Sequence, residues 1–233
     1  MSRPPRIVVI IPAFNEAESI ALVLREIPAE VSHTIVVDNG STDGTGEVAA
    51  KAGAIVVREN QKGYGYACLK GMRYISDHSL APDIVVFLDG DYSDYPEYLT
   101  PLVAPIISGA KDLMVGARVA NLREAGAMTF PQRFGNSLAT FLMRVFFGSR
   151  FTDLGPFRAI RYESLRKLNM EDKTYGWTVE MQLKALKKGL RYGEIPVPYR
   201  NRIGVSKVSG TVKGAIFAGV KILGWIFKYS LKK

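Results

Sequence analysis

Short runs of apolar residues, rich in β-branched side chains, recur along the first half of the chain and are separated by amphipathic stretches. Five of these runs have the length and composition of buried strands: 7–11, 34–37, 54–57, 84–88 and 113–117. The stretches between them predict a helix over 15–27, helices that end near residues 52 and 74, and a fourth with Pro96 near its first turn. Strands and helices that alternate at this spacing predict an α/β fold with a mostly parallel sheet flanked by helices.

The pattern changes in the second half of the chain. After Arg118 the alternation of strands and helices stops, and residues 138–147 form a strongly apolar segment. This segment predicts a helix with more apolar surface than one buried face requires, so it is either a core helix or a helix that lines a binding site. Residues 152–160 then predict a loop that returns to a strand.

The C-terminal segment, residues 208–233, has no apolar run near the roughly 20 residues that a membrane span requires. At about 100° per residue, Lys221, Lys228 and Lys232 fall within about 40° of one another, and aliphatic and aromatic side chains occupy the opposite side. This pattern is typical of an amphipathic helix that lies in a bilayer interface, with its lysines toward anionic headgroups. The alternative is a helix that packs on the domain.

Length and cysteine content narrow the classes of protein to which the chain can belong. Its 233 residues are enough for one large domain with a full core. The single cysteine, Cys68, excludes an internal disulfide framework and a cysteine-based zinc site. We therefore expect a reducing, cytoplasmic compartment, with no signal peptide before the first strand.

The net charge of +9 is unevenly distributed. Residues 1–157 carry 14 Lys/Arg and 17 Asp/Glu, whereas residues 158–233 carry 17 Lys/Arg and only 5 Asp/Glu. A basic C-terminal third suits an anionic lipid surface, a phosphorylated substrate or nucleic acid. Nucleic acid is the least favoured, because the basic residues of the tail are interleaved with aliphatic residues where a groove binder would use stacking aromatics.

Two carboxylates, Asp89 and Asp91, follow the predicted strand at 84–88. In an extended segment both side chains project to one side, where they can share a hard cation, Mg²⁺ or Mn²⁺, that also bridges nucleotide phosphates. Ligands of open α/β sheets bind beyond the carboxyl ends of the strands, which favours a metal site over a solvated turn. The first turn lacks G-x-G-x-x-G, which argues against a dinucleotide-dependent dehydrogenase.

Three polar segments carry a resemblance to a known family. Residues 12–16 (PAFNE), 37–45 (VDNGSTDGT) and 89–91 (DGD) resemble, in order and spacing, the nucleotide-sugar half of family 2 glycosyltransferases with the GT-A fold. The resemblance implies that the turns after the first two strands hold the base and the ribose. The nucleotide-sugar-binding residues implied in this way are Pro12, Ala13, Asn15, Glu16, Asp38, Asn39, Gly63 and Gly90.

Asn39 stands where the family usually has a second Asp. An amide offers both a donor and an acceptor, which suits the edge of uracil, whereas the two adjacent donors of guanine suit a carboxylate. This favours a UDP-sugar over a GDP-sugar. Alternatively, Asn39 is simply a turn residue.

Two later segments narrow the resemblance to the dolichyl-phosphate and polyprenyl-phosphate hexose synthases. They are residues 153–158 (DLGPFR), in which Pro156 interrupts the usual pattern, and residues 194–207. The resemblance implies that Arg118, Arg133 and Ser137 meet the lipid phosphate. It also implies that Arg200 or Arg202 binds the nucleotide diphosphate together with Lys207, as guanidinium and ammonium groups do.

The implied organisation is a glycosyltransferase domain over 1–207, with a nucleotide-sugar half at 1–117 and an acceptor half at 118–207, and a membrane-associating tail at 208–233. The implied activity is metal-dependent and inverts the sugar. A phosphate acceptor needs no general base, because it is already ionised at neutral pH. The expected location is cytoplasmic, associated peripherally with the inner face of a membrane.

Two alternatives remain at this point. In the first, the acceptor is a hydroxyl and Glu180 serves as the base, although Glu180 is equally suited to be the acidic residue of a helix N-terminus. In the second, the chain is a non-catalytic peripheral membrane protein that docks a partner. Both metal carboxylates and the set of arginines argue against the second alternative.

Overall fold

The computed structural model describes residues 3–204 and 212–231 of the chain. In these parts seven strands form one sheet with the order β3-β2-β1-β4-β6-β5-β7. The strands are β1 (Ile7–Ala13), β2 (Val31–Asp38), β3 (Ile55–Arg58), β4 (Ile84–Phe87), β5 (Leu113–Arg123), β6 (Arg158–Arg161) and β7 (Tyr192–Tyr199).

Helices cover both faces of this sheet. They are α1 (Ile20–Arg25), α2 (Thr45–Lys51), α3 (Tyr64–Asp77), α4 (Leu99–Ile107), α5 (Phe130–Phe147), α6 (Tyr162–Leu168), α7 (Trp177–Lys187) and α8 (Val212–Leu231). A 3₁₀ turn at Pro96–Tyr98 precedes α4. Its proline stands at the start of the turn, where the missing N–H costs no hydrogen bond.

All strands except β6 run in the same direction. Strands β3, β2, β1 and β4 pair in parallel, β6 pairs antiparallel with both β4 and β5, and β7 pairs in parallel with β5. The carboxyl ends of β1, β2 and β4 therefore meet at one edge of the sheet. The mostly parallel α/β sheet predicted from the sequence is confirmed.

The alternation of side chains along the central strands produces two core layers. Along β1, Val8 and Ile10 face the layer that holds α3, α7 and Trp177. Ile7, Val9 and Ile11 face the other layer, where α1, α2 and α4 pack. Both faces of β1 are fully buried, which explains why its sequence is continuously apolar.

Two of the differences between the predicted elements and the structure have a clear physical cause. The first helix begins at Ile20, not at residue 15, because Asn15 adopts a left-handed backbone and the turn around it bonds to the loop after β2. The sequence pattern also gave no strand at β7, which contains Pro196 and Pro198. Strand β7 lies at the edge of the sheet, where a residue without an N–H donor is tolerated.

Helix α8 packs on the domain against α5 and α7. Trp225 and Ile226 are 7% and 0% exposed, and the indole Nε1 of Trp225 donates to Asp172 Oδ2 at 2.6 Å. The predicted apolar side of the helix is thus divided, because Val220 and Phe227 remain exposed. Packing on the domain, the alternative interpretation of this segment, describes the buried part. Within the described residues, no helix is long and apolar enough to cross a membrane.

Candidate active site

A cavity of about 300 Å³ opens at the edge of the sheet where β1, β2 and β4 end. The turns after these strands contribute most of its wall, and a loop before α7 closes one side. The lining residues are Pro12, Ala13, Phe14, Glu16, Asn39, Lys62, Gly63, Tyr64, Ala67, Asp89, Gly90, Asp91, Thr174, Tyr175 and Arg202.

The two predicted metal carboxylates lie together in this cavity. Asp91 Oδ1 accepts hydrogen bonds from the backbone N–H and the hydroxyl of Ser93, at 2.9 and 2.5 Å, while Asp91 Oδ2 forms an ion pair with Arg202. Asp89 Oδ1 is buried and has no hydrogen-bond partner in the described part of the chain. Burial raises the pKa of Asp89, against the opposing effect of the Arg202 charge. A cation between these carboxylates would offset the free-energy cost of burying the charged Asp89. It would also give Asp89 Oδ1 a partner.

This pair is suited to Mg²⁺ or Mn²⁺, which bind oxygen ligands. In residues 3–204 and 212–231, no group of three or more His, Cys, Asp or Glu side chains could hold a metal ion. Protein carboxylates would therefore supply two ligand groups, and phosphate or water oxygens would complete the coordination. Mg²⁺ is commonly bound in this way, through one or two carboxylates and the phosphates of a substrate.

The turn after β1 is held by the loop after β2. The backbone N–H groups of Asn15 and Glu16 donate to the hydroxyls of Ser41 and Thr45, at 3.0 and 2.8 Å. In return, Asn15 Oδ1 accepts from the backbone N–H of Thr42 at 2.9 Å. Glu16 lines the cavity, whereas Asn15 lines a neighbouring one. The contacts of Asn15 fix the shape of the turn that carries Pro12 and Ala13 into the cavity.

Asp38 and Asn39 differ in what their side chains do. Asp38 Oδ1 accepts from the backbone N–H of Ser41 at 2.8 Å and is not in the cavity wall. Asn39 Nδ2 donates to the carbonyls of Glu59 and Gln61 at 3.1 and 2.7 Å, and its Oδ1 accepts from the N–H of Gly63 at 2.8 Å. The amide of Asn39 is therefore engaged in holding the 59–63 loop, which agrees with the turn-residue interpretation.

Arg118 forms a buried ion pair with Asp153. The backbone N–H, Nε and Nη2 of Arg118 donate to the Asp153 carboxylate at 2.9, 2.7 and 2.7 Å. Burial alone would raise the pKa of Asp153, but the Arg118 charge and hydrogen bonds lower it overall. Arg118 thus positions the loop before β6, and its predicted contact with a lipid phosphate stays a prediction.

The two other residues predicted to meet the lipid phosphate, Arg133 and Ser137, lie outside the cavity wall. Both are exposed on α5, and each stands next to a phenylalanine or leucine in the sequence. Phe130, Phe134 and Phe141 on the same helix are 71%, 59% and 57% exposed. These positions recur at helical spacing, so they form one stripe on α5 with Ser137 inside it.

The structure distinguishes the two arginines predicted for the diphosphate. Arg200 lies over the rings of Tyr92 and Tyr95, 3.4 and 4.1 Å from their centroids, and its Nη2 donates to Glu26 at 2.8 Å. Arg202 lines the cavity and pairs with Asp91. Arg202 is therefore the candidate for the diphosphate. Lys207 lies outside the described residues.

Glu180 is fully buried and does not line the cavity. Its carboxylate accepts from the backbone N–H groups of Glu171 and Asp172, both at 2.8 Å, and pairs with Lys184 at 2.7 Å. These three partners leave Glu180 with a structural role in the loop before α7. The hydroxyl-acceptor alternative therefore has no base at this position.

The chain is also similar to known proteins. The sequence profile described as Glycosyl transferase family 2 matches residues 8–168, which include every strand and turn of the cavity up to β6. The chain belongs to glycosyl transferase family 2.

Three relatives illustrate the range of similarity to this glycosyltransferase. An uncharacterized glycosyltransferase of Mycobacterium tuberculosis is 36% identical, over 91% of this chain and 94% of its own. The undecaprenyl-phosphate mannosyltransferase of Micrococcus luteus is 30% identical, over 94% and 93%. In the crystal structure of glucosyl-3-phosphoglycerate synthase from M. tuberculosis with Mn²⁺, UDP and phosphoglyceric acid, the fold matches with a TM-score of 0.77, at 20% identity, over 97% of this chain and 79% of that one.

Several cavity residues of the glycosyltransferase were not predicted from the sequence. Phe14, Lys62 and Tyr64 belong to turns that the sequence pattern had identified, so their proximity to motif residues was the available signal. Thr174 and Tyr175 come from a loop with no motif of its own, and only the tertiary fold brings them to the cavity. Together with Arg202, these two residues form the wall contributed by the second half of the chain.

Asp94, three residues after Asp91, was not predicted as a site residue from the sequence. It is 2% exposed, and burial, together with the charge of Asp89, raises its pKa to about 7. The buried carboxylates of Asp89 and Asp94 therefore disfavour a charge on one another. Its place in the DGDYSD segment was the only sequence signal.

Proposed function

We propose that this glycosyltransferase moves a hexose from a nucleotide sugar to a polyprenyl phosphate at a membrane surface. The nucleotide sugar occupies the cavity, where Asp89 and Asp91 hold Mg²⁺ or Mn²⁺. The relative from Micrococcus luteus, which matches over almost the full length of both chains, is named for transfer to undecaprenyl phosphate. The observation that carries the acceptor class is an exposed apolar surface on α5 and α8.

This apolar surface consists of exposed side chains from two neighbouring helices: Phe130, Phe134, Phe141, Val145 and Phe146 of α5, and Phe217, Val220, Phe227 and Leu231 of α8. The rings of Phe146 and Phe227 lie 5.8 Å apart, so the exposed side chains of the two helices meet at this pair. Single exposed apolar residues are common on proteins, but a contiguous group of this kind marks a contact with a membrane or a partner.

Charge favours the membrane as the contact. Arg133 and Arg144 on α5 and Lys221 and Lys228 on α8 are exposed beside the apolar side chains. An apolar surface bordered by basic residues suits an anionic bilayer, in which rings enter the acyl boundary and cations meet headgroups. The prenyl chain of the acceptor would lie in that bilayer, with its phosphate near Arg133 and Ser137.

The chemistry needs little from the chain beyond placement and charge. A bound Mg²⁺ or Mn²⁺ would stabilise the charge that develops on the departing diphosphate. Arg202 contributes a second positive charge on the same side of the cavity. An oxygen of the ionised polyprenyl phosphate forms a bond to the anomeric carbon as the bond to the diphosphate breaks, with inversion. No proton has to be removed from the acceptor, which agrees with the structural role of Glu180.

A UDP-sugar remains the proposed donor. Its support comes from the UDP present in the M. tuberculosis structure with the same fold. The side chain of Asn39 gives no support, because its donors and acceptor are engaged with the 59–63 loop. UDP-sugars and GDP-sugars therefore have to be compared in the same transfer experiment.

The proposal is tested by incubating the protein with labelled UDP-glucose or GDP-mannose, polyprenyl phosphate in anionic vesicles, and Mg²⁺ or Mn²⁺. We expect metal-dependent label in the organic extract, reduced at least about 100-fold in Asp91→Ala because a metal ligand is lost. Asp77→Ala is the control, since Asp77 is exposed at the far end of α3, roughly 20 Å along the helix from Tyr64. Nucleotide binding without any lipid product would contradict the proposed acceptor.

A further inference from the structure

The loop before α7 connects the cavity to the C-terminal helix. Thr174 and Tyr175 of this loop line the cavity together with Asp89 and Asp91. The same loop contacts α8 through its first residues and through Gly176. We call residues 171–176 the wall loop.

Backbone contacts join the wall loop to the start of α3. The backbone N–H of Tyr66 donates to the carbonyl of Lys173 at 3.0 Å. A Cβ atom at Gly63 or Gly65 would overlap the carbonyl oxygen of Lys173 or Asp172, respectively. The wall loop therefore lies directly against the helix start that brings Gly63 and Tyr64 into the cavity, and a small displacement of the loop changes the shape of the cavity.

The carboxylate of Asp172 holds the end of the wall loop and also contacts α8. Asp172 is 2% exposed, and its Oδ1 accepts from the backbone N–H groups of Thr174 and Gly176 at 2.7 and 3.1 Å. Its Oδ2 accepts from Trp225 Nε1 at 2.6 Å and lies 3.3 Å from Lys221 Nζ. Asp172 thus joins the wall loop to two residues of α8.

Trp225 also restrains the loop through packing. A Cβ atom at Gly176 would overlap the Trp225 indole and the Asp172 carboxylate. The indole is buried, while Val220 and Phe227 on the other side of α8 belong to the apolar surface. Helix α8 therefore contacts the cavity wall with one side and presents the proposed membrane-contacting residues on the other.

We propose that Asp172 and Trp225 are positioning residues for the nucleotide sugar: through this pair, α8 holds Thr174 and Tyr175 at the cavity. The inference rests on the proposed function for the identity of the ligand. It assigns to α8 a role in donor binding in addition to any contact with a membrane. Neither residue lines the cavity itself, so their effect on the ligand is indirect.

The test uses the full-length protein and calorimetric titration with UDP and with GDP in MnCl₂, without vesicles or acceptor. Trp225→Phe removes the indole N–H and keeps an aromatic ring. We expect the Kd of the tighter-binding nucleotide to rise about five- to tenfold, because a hydrogen bond to a buried carboxylate is lost. The binding stoichiometry should stay at the wild-type value. A purely structural defect would instead lower the stoichiometry and leave the Kd unchanged.

Asp172→Asn breaks the same contact from the other side, because an amide nitrogen faces the indole N–H and Lys221. If the two residues act as a pair, the Trp225→Phe/Asp172→Asn variant binds nucleotide no more weakly than the weaker single variant. Effects of the two substitutions that add fully would overturn the pairing.

Tyr192→Phe is the matched control. It removes a hydrogen bond that Arg150 N–H donates to the Tyr192 hydroxyl, next to the same core layer but away from the wall loop. We expect an unchanged Kd in this variant. Wild-type Kd values in both Trp225→Phe and Asp172→Asn would overturn the inference while leaving the proposed function intact. Failure of the wild-type protein to bind either nucleotide would overturn both.

Discussion

The cavity edge and the apolar surface are built on opposite principles. At the cavity edge, the turns after β1 and β2 bond to one another through Asn15 and the hydroxyls of Ser41 and Thr45, and Asn39 joins the second turn to the 59–63 loop. On α5 and α8, large rings such as Phe130 and Phe217 are 71% and 65% exposed. The turns of the first region bond within the chain and leave Asp89 Oδ1 for a ligand, whereas the second region leaves large apolar groups for a contact outside the chain.

This difference matches the two substrates that we propose. A small, soluble nucleotide sugar benefits from turns that are already ordered, because ordering them on binding would reduce its affinity. A prenyl lipid arrives within a bilayer, so the protein needs a surface that favours the bilayer and not a closed pocket. The following predictions test the comparison in order of decreasing effect.

The largest effect should come from the buried ion pair between Arg118 of β5 and Asp153 in the loop before β6. In Asp153→Asn, the buried guanidinium of Arg118 loses its counter-charge, and we expect a loss of about 3–5 kcal/mol in the free energy of unfolding. Urea denaturation followed by circular dichroism measures this change. The control is Asp83→Asn, which removes an exposed pair with Arg3 and should cost at most about 1 kcal/mol. Equal effects in both variants would mean that the burial of Arg118 and Asp153 contributes little.

The second effect separates membrane contact from folding. Phe141 and Phe227 are 57% and 48% exposed, so Phe141→Ser/Phe227→Ser should leave the unfolding midpoint nearly unchanged. Because burying a phenylalanine is worth about 1.5–3 kcal/mol, we expect anionic vesicle binding to weaken at least about thirtyfold. Cosedimentation with vesicles gives the measurement.

Ile107 provides the control for this variant. It is 50% exposed on α4, whose buried residues pack in the other core layer. Ile107→Ser should therefore bind vesicles as the wild-type protein does. Equal weakening in both variants would show that binding depends on general hydrophobicity and not on the apolar surface.

The third effect concerns the preformed turns. Asn39→Asp replaces the Nδ2 donor by a carboxylate oxygen facing the carbonyls of Glu59 and Gln61. We expect nucleotide affinity to fall about tenfold. Two hydrogen bonds are lost, and the negative carboxylate faces the partial negative charges of two carbonyl oxygens. UDP and GDP should be affected equally, because Asn39 holds the loop and does not read the base. Titration with both nucleotides tests this, and a selective loss of UDP binding would restore a base-reading role for Asn39.

The smallest effect is a dependence of stability on pH at the same turns. Burial would raise the pKa of Asp43, but hydrogen bonds from the Thr45 hydroxyl and from backbone N–H groups lower it overall. The depressed pKa stabilises the fold above the unfolded-state value of about 3.9, and this contribution is lost as the pH falls through the folded pKa. Asp43→Asn should therefore be less stable than the wild-type protein at pH 7, and the difference should shrink as the pH falls through the folded pKa. An unchanged difference across this range would show that Asp43 acts without its charge.

The sequence was sufficient to predict those parts of the structure that depend on residues close together in the chain. Strands β1 and β4 and the Ile35–Val37 part of β2 are apolar runs, and the polar turns that follow these strands identify the cavity edge and the positions of Asp89 and Asp91. Parallel strands that share a buried sheet have this pattern whatever their exact partners are.

The sequence was insufficient for residues whose burial and role depend on contacts with distant segments of the chain. Glu180 has the composition of a possible base, but contacts with the backbone of the wall loop and with Lys184 make it structural. Trp225 and Phe227 are both apolar residues of α8, yet one is buried and the other exposed. Helical periodicity places them on opposite sides of α8, but the position of α5 and Asp172 determines which side is buried.

The reversed strand β6 has a consequence for the order of assembly. It lies between β4 and β5. In the sheet, strands β1 to β4 are therefore joined to β5 and β7 only through the four residues of β6, Arg158–Arg161. On a ribosome, strands β1 to β4 can pair as soon as they emerge, whereas β5 must wait until some 40 further residues have been synthesised. The apolar helix α5 is made during that interval, which makes the second half the part of the nascent chain most in need of a chaperone or a nearby membrane.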